Sequence, residues 1–230
     1  MNLKTEHSGI YRFESLGEGV VAGFHSRDFT NAKRADFLRG LDVDPEKLVM
    51  VKQVHGDAIV VVERPDAELM NAAADGLITK TPGLVLGIRT ADCVPVIFWD
   101  PVCKVAGIAH GGWKGVKEGI ISQMLKIFEK TCGSQLSDLR VAIGPSIRKC
   151  CYEVGKEFMG YFPGFYRGKD AAKGYLDLVG VVKDRLLKRG VKAAHIEDCS
   201  RCTVCENDKF FSYRVESQTQ ERILSVISIK

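Results

Sequence analysis

Residues 75–119 read DGLITKTPGLVLGIRTADCVPVIFWDPVCKVAGIAHGGWKGVKEG. Within this run, 84–90 (LVLGIRT) and 95–100 (PVIFWD) are near-continuous apolar segments, the pattern of strands covered on both faces. Pro82-Gly83 marks a turn ahead of the first, and Ala91-Asp92-Cys93 separates the two. KVAGIAHGG (104–112) is a third strand. It feeds directly into the best helical pattern in the chain, about 114–132, where Val116, Ile120, Met124, Ile127 and Phe128 share one face and Gly133 is placed to end it. Units of this strand–helix–strand kind predict one α/β domain over residues 1–230, with mixed β-sheets and flanking helices.

Upstream, 10–24 reads as two strands around a turn at Gly17 and Gly19. A short helix capped by Thr30 or Asn31 runs to Gly40, and Asp44-Pro45-Glu46-Lys47 is a turn. LVMVKQVHG (48–56) and DAIVVVE (57–63) read as two Val-rich strands joined at His55-Gly56-Asp57. Downstream, LRVAIGPSI (139–147) is a strand running into a Gly-Pro turn, YEVGKEFMGYF (152–162) a short helix, and 176–189 an amphipathic helix closed by Gly190. AAHIED (193–198) reads as a strand, SRCTVCEND (200–208) as a loop, FFSYR (210–214) as a short strand or turn, and RILSVISIK (222–230) as the last strand.

Hydrophobic residues make up 45% of the 230 and charged residues 27%, ordinary for a soluble globular chain. The formal net charge of +4 is spread along the sequence, too mild and too scattered for a nucleic-acid partner, though it suits a small anionic substrate. The first fifteen residues lack the apolar core of a signal peptide. No run approaches the roughly 18 apolar residues of a membrane helix. The expectation is a cytoplasmic protein with no membrane partner, whose eight cysteines serve as thiols or metal ligands rather than disulfides.

Three side chains at turns or strand ends carry metal-ligand chemistry: His55 in KQVHGD, Cys93 in RTADC and His110 in AHGGWKG. Zinc takes imidazole nitrogen and thiolate sulfur, and catalytic zinc sites use three protein ligands with a fourth position open. The separations are long, so spacing alone also fits two polar turn histidines and a buried thiol. Gly111, Gly112 and Lys114 stand where a strand enters a helix, suited either to anion binding or simply to a tight turn. Asp92 is placed to orient a ligating histidine or to act as a general base. Arg89 is placed to hold phosphate or to lower the Cys93 thiol pKa, and the two equally fit an internal ion pair. Arg148, beside the GPSI turn, is a candidate for lining a substrate pocket.

KQVHGD, ADGLIT, RTADCVPV, AHGGWKG, GPSIRKCCYEVG and FFSYR occur here in the order found in the YfiH-like family, also called polyphenol oxidase, laccase-domain or purine nucleoside phosphorylase. The resemblance covers nearly the whole chain. It implies a fold of the YfiH-like, cysteine-hydrolase type, with Zn2+ held by His55, Cys93 and His110. It also implies phosphate-dependent cleavage of purine nucleosides (adenosine, inosine, methylthioadenosine), with adenosine deamination at the same site. This chain departs twice from the family pattern. Lys114 replaces an arginine, keeping the charge but losing the planar fork. Where the family has SYRRDG this chain has Ser212-Tyr213-Arg214-Val215-Glu216-Ser217, so the second Arg and the Gly are gone.

Other features weigh less. Ser146-Ile147-Arg148-Lys149 fits S-x-x-K, but neither S-D-N nor K-T-G follows. Cys199, Cys202 and Cys205 form C-x-x-C-x-x-C, a metal-like spacing that could join Cys150 or Cys151 in a second structural metal or iron–sulfur site. The run continues to Glu206-Asn207 rather than C-P, and free thiols are the reading adopted. Trp113, Phe210, Phe211 and Tyr213 suit either core packing or stacking on a purine. His7, His25 and His195 have no ligand-like neighbours, although His25 falls at a strand end. Two other function classes fit the site: a cysteine amidase editing peptidoglycan precursors, with Cys93 as nucleophile and His110 as base, and a copper polyphenol oxidase. The five histidines are few for a multicopper oxidase.

Overall fold

The three apolar strands of the central run form where the sequence places them, but they do not share one sheet. In the computed structural model, which describes residues 3–6, 9–65, 67–217 and 219–230, the elements follow in order. They are β1 (Leu3–Glu6), β2 (Ile10–Phe13), β3 (Val20–His25), α1 (Arg34–Gly40), β4 (Leu48–Val49), β5 (Ile59–Val61), β6 (Gly76–Thr79), β7 (Val85–Thr90), β8 (Val94–Asp100) and β9 (Val105–Gly111). Then come α2 (Trp113–Glu118), α3 (Ile120–Lys130), β10 (Arg140–Ile143), β11 (Glu153–Gly155), α4 (Phe158–Tyr161), β12 (Tyr166–Gly168), β13 (Lys173–Leu176), α5 (Leu178–Lys188), β14 (Ile196–Asp198) and β15 (Ile223–Ile229). Among the described residues the strands form two six-stranded sheets, β1-β2-β3-β15-β7-β4 and β14-β10-β8-β9-β6-β5, and a small sheet β11-β13-β12. Both large sheets are mixed: β4–β7, β5–β6 and β10–β14 are parallel and their other pairs antiparallel.

The period-2 alternation of the strands explains the layering. Leu86, Ile88 and Ile227 of the first sheet meet Leu77, Ile97, Trp99 and Ile108 of the second in one core. The alternate residues point the other way. Val85, Leu224 and Val226 lie under Phe37, Leu38 and Leu41 of the α1 region, while Ile78, Val96, Phe98 and Ala109 lie under α3 and α5. The order is helix, sheet, sheet, helices, so β7, β8 and β9 are apolar on both faces although their pairing is antiparallel. Burial of Ile120, Ile121, Met124, Leu125 and Phe128 fixes α3 on the second sheet, each side chain contributing about 1.5–3 kcal/mol.

Several expected boundaries move. The helix expected over 114–132 is two helices, broken at Gly119, whose φ of 119° is left-handed. Residues 152–162 give β11 and the one-turn α4 instead of a single helix. Their aromatics pack on the second core, and β11 pairs with β13, a non-local partner that helical periodicity does not reveal. The segments 48–56 and 57–63 are strand only at Leu48–Val49 and Ile59–Val61. FFSYR forms no strand.

The topology brings the loops of interest to one end. β4 and β7 are parallel in the first sheet, and the chain leaves both to enter the second sheet, through His55 after β4 and through Ala91-Asp92-Cys93 after β7. β9 returns to that end, with His110 opposite Pro95. The ends of β10 and β14 and the start of β15 lie there too. Two of the three expected ligands therefore sit on crossings between sheets. Among the described residues, no helix is long and apolar enough to cross a membrane.

Candidate metal centre

His55 occupies a turn at φ 64°, a left-handed conformation costly for a residue with a Cβ. The turn is held by Asp75, a fully buried carboxylate at the start of β6. Its oxygens accept from the backbone N–H groups of Val54 (3.1 Å), His55 (3.0 Å) and Gly56 (2.7 Å). Asp75 Oδ1 also lies 2.7 Å from His110 Nδ1. Burial pushes the Asp75 carboxyl up, but the His110 bond and these N–H groups outweigh it and hold it below the ordinary carboxylate value. One buried anion thus fixes both histidines, the first through its backbone and the second through its ring. With Nδ1 turned to Asp75, His110 keeps Nε2 for a metal.

The ligand atoms of His55, Cys93 and His110 lie within 4.8 Å of one another. The imidazoles meet edge-on, centroids 4.8 Å apart. Burial alone pushes the Cys93 thiol up. The charge and hydrogen bond of His110, with those of His55, reverse this and bring it down to about 6. For His110, burial pushes down, while the Cys93 thiolate and Asp75 raise it to about 9. Without metal the pair is therefore a thiolate facing an imidazolium. This donor set of two imidazoles and one ready thiolate, with one imidazole oriented by a carboxylate, fits Zn2+ in a three-ligand site. Gly112 keeps room for it: a Cβ there would stand 2.9 Å from His55 Cδ2 and 3.5 Å from Cys93 Sγ.

These side chains lie in a cleft of about 650 Å3 walled by Trp113, Tyr152 and Tyr213 and by Lys52, Arg89, Arg214 and Arg222. Arg89 is exposed; its backbone N–H and carbonyl are tied to the Gln53 side-chain amide at 2.9 and 2.8 Å. Among the described residues no ion pair joins it to Asp92. The Asp92 backbone is left-handed (φ 86°), and its carboxylate accepts from Thr203 Oγ1 (2.6 Å), Ser212 Oγ (2.8 Å) and Arg214 N–H (2.7 Å). It fastens the 203 and 212–214 loops to the cleft; the carboxylate that orients a histidine is Asp75.

Arg148 does not line the cleft. Its half-buried guanidinium is forked onto Asp198 at 2.7 and 2.9 Å and donates to the Arg201 carbonyl. Lys114 stands behind Trp113, its ammonium 5.7 Å from the ring centroid. Phe210 and Phe211 are buried in the first core, whereas Trp113 and Tyr213 face the cleft. His25 is buried against Phe29 and Phe37 and bonded to Ser26 and Leu224, away from the centre. His7 lies outside the described residues.

The sequence reading missed the roles of Asp75, Tyr152 and Arg222. For Asp75 a signal existed: an acidic residue at the mouth of a strand as apolar as GLIT must be paired once buried. Tyr152 and Arg222 carry no local signal, because their place depends on the pairing of distant strands.

The geometry agrees with what comparison finds. A family model described as multi-copper polyphenol oxidoreductase laccase matches residues 11–230. The chain belongs to the YfiH-like family. It is 34% identical over 242 residues to purine nucleoside phosphorylase YlmD of Geobacillus stearothermophilus, covering 98% of this chain and 88% of that protein. It is 32% identical to adenosine deaminase RL5 of an unknown prokaryotic organism, covering 92% and 83%. The crystal structure of the hypothetical protein YfiH from Bacillus licheniformis superposes with a TM-score of 0.93 at 29% identity over all of both chains.

Proposed function

We propose that this protein is a zinc-dependent purine nucleoside phosphorylase acting on adenosine, inosine and methylthioadenosine, with adenosine deaminase activity at the same centre. The observation that carries this reading is the His55–Cys93–His110 cluster within a cleft that also holds aromatic walls and exposed cations. Relatives of this chain bear both activities in their names. Bound zinc would supply a Lewis acid to polarise an oxygen of substrate or phosphate.

The protein's own groups supply the rest. Asp75 keeps His110 in one tautomer and the His55 turn in one shape, so the centre needs no rearrangement during reaction. Trp113 and Tyr213 offer faces for the purine. Burial holds the Tyr152 phenol in its neutral form, a hydroxyl donor in the wall. Arg89 and Arg222 hold phosphate against ribose C1′, in place of Lys114 and Arg148, which stand outside the lining. Phosphate attack there releases the free base and ribose 1-phosphate. Asp92 keeps the cleft rim closed through the 203 and 212–214 loops and is the carboxylate available for proton transfer during deamination.

One observation favours a second reading. The lowered Cys93 thiol, His110 and Asp75 stand in the nucleophile–base–orienter order of a cysteine hydrolase. A nucleophile would be alkylated readily, whereas a ligand is shielded until zinc is removed. A copper oxidase of the kind in the family description draws on many histidines. Here, among the described residues, only His55 and His110 share a metal-type cluster.

The test is chromatography of adenosine and inosine incubated with the protein, with and without phosphate, beside Cys93→Ala. Phosphate-dependent release of adenine and hypoxanthine, lost in the variant, supports phosphorolysis at this centre. Inosine formed from adenosine without phosphate supports the deaminase activity. No product from either nucleoside with the zinc-loaded protein overturns the reading in favour of the hydrolase.

A further inference from the structure

A second cluster shares no residue with the first. Cys150, Cys151, Cys202 and Cys205 bring their sulfurs within 4.8 Å of one another. Cys150 Sγ lies 3.6 Å from the sulfurs of both Cys202 and Cys205, and Cys151 Sγ lies 3.3 Å from that of Cys205. All four are free thiols. A disulfide joins two sulfurs at about 2.0 Å and leaves the others out. Here Cys150 and Cys205 each face two partners. Four sulfurs around one zinc, at bonds of about 2.3 Å, form a tetrahedron with edges of about 3.8 Å. Three of the sulfur pairs here, at 3.3–3.6 Å, lie just under that edge, and all four sulfurs lie within 4.8 Å of one another.

The backbone N–H groups of Cys205, Arg148 and Val204 hydrogen-bond to the Cys202 sulfur and fix its position in the cluster. The two halves are already paired: Ser146 bridges to Cys202, and Thr203 N–H donates to the Ser146 carbonyl at 3.1 Å. Cys199, the first cysteine of the C-x-x-C-x-x-C run, is outside the cluster, buried beside Arg148. Its place is taken by the adjacent pair Cys150-Cys151, 48 residues upstream of it on the chain at the nearer end.

We infer that Cys150, Cys151, Cys202 and Cys205 form a second, structural metal site that binds one Zn2+ through four thiolates. Binding replaces each S–H with an S–Zn bond and releases the protons to solvent, with no change of oxidation state. With four protein ligands the shell is closed, so this ion takes no part in turnover. It pins the segment ahead of Tyr152, a wall of the cleft, to the turn carrying Thr203, which holds Asp92 beside Cys93. Zinc is the ion chosen because a lone tetrahedral all-thiolate shell without a cluster-type cysteine run suits a redox-inert ion.

The test is zinc counting by native mass spectrometry and elemental analysis on protein produced with zinc in the medium. The wild type should carry two zinc ions per chain. Cys93→Ala, lacking the open site, should keep one, and X-ray absorption at the zinc edge should show sulfur neighbours only. Cys202→Ser/Cys205→Ser should lose one equivalent, the ion that remains showing nitrogen neighbours. The Cys93→Ala measurement stands even if the double variant does not fold. A single zinc in the wild type that Cys93→Ala removes overturns the inference. So does an intact mass lower by two hydrogens with Cys151 joined to Cys205, or iron in place of zinc in Cys93→Ala.

Discussion

The two sulfur-bearing clusters are built on opposite plans. The first takes one ligand from each of three segments, with 37 residues between His55 and Cys93 and 16 between Cys93 and His110. It mixes imidazole with thiolate, opens on a cleft and is backed by the buried Asp75. The second takes four sulfurs from two short segments. A three-ligand set with a carboxylate behind it leaves a position for chemistry, whereas four thiolates fill a tetrahedron and staple loops. The difference teaches that the open ligand set hangs on the crossings between the two sheets and the end of β9, whereas the four-sulfur set ties together two loop segments that strands do not reach.

The sharpest way to break this contrast is at Asp75. Asp75→Ala leaves three backbone N–H groups and a histidine without their anion. It should cost about 3–5 kcal/mol in urea denaturation. The milder Asp75→Asn should lower zinc affinity at the open site by about 10–100-fold and leave the four-thiol site at full occupancy. Equal loss at both sites would show that they are not independent.

A pH series sets the floor for such comparisons. His25 is held neutral: Nδ1 donates to the Ser26 carbonyl at 2.7 Å and Nε2 accepts from Leu224 N–H at 3.0 Å. Burial lowers it from 6.5 to about 4, against the Ser26 bond. Because its folded pKa is depressed, the unfolded chain takes up the proton first. Stability should be unaffected by this group above pH 6.5, should fall as pH drops from 6.5 to about 4, and should level off below. The full loss is on the order of 3 kcal/mol, read from urea midpoints at each pH. His25→Gln should flatten that slope; an unchanged slope would assign it to another group. Metal release above pH 6.5 then reports on the centres rather than on the fold.

A smaller effect is expected at Gly112. Gly112→Ala sets a methyl against His55 and Cys93 and should cost about 1–3 kcal/mol of zinc affinity at the open site alone, measured by competition with a chromophoric chelator. Undisturbed affinity there would mean that the His55 ring swings aside at no cost.

How far the sequence could be read follows the same division. Strands 84–90, 95–100 and 104–112 were visible because both faces are buried and the runs are apolar throughout. His55 and Cys93 are visible because they interrupt strands at turns, His110 because it stands where a strand gives way to a helix, and the structure brings their ligand atoms together. The crossing between sheets at Ala91–Cys93 was not visible, since β7 pairs with β15 over a separation that no local pattern encodes. Proximity to Cys93 suggests that Asp92 orients a histidine, serves as a general base or pairs with Arg89, but a left-handed backbone turns its carboxylate towards Thr203 and Ser212. Arg148 was placed in the pocket on proximity to the GPSI turn, yet Asp198, 50 residues on, captures it. The C-x-x-C-x-x-C run, read from the sequence as free thiols, is not the unit that folds together: Cys199 stands apart, and Cys202 and Cys205 meet Cys150 and Cys151.

On the proposed function, turnover belongs to the open His55–Cys93–His110 centre and depends on its ion. The most direct measurement is inosine with phosphate, following hypoxanthine and ribose 1-phosphate together while zinc is removed by a chelator and then restored. The products should be equimolar, both should be lost as the open-site zinc leaves, and both should recover on adding Zn2+. Base release that continues unchanged in protein shown to be free of zinc would contradict the proposed function.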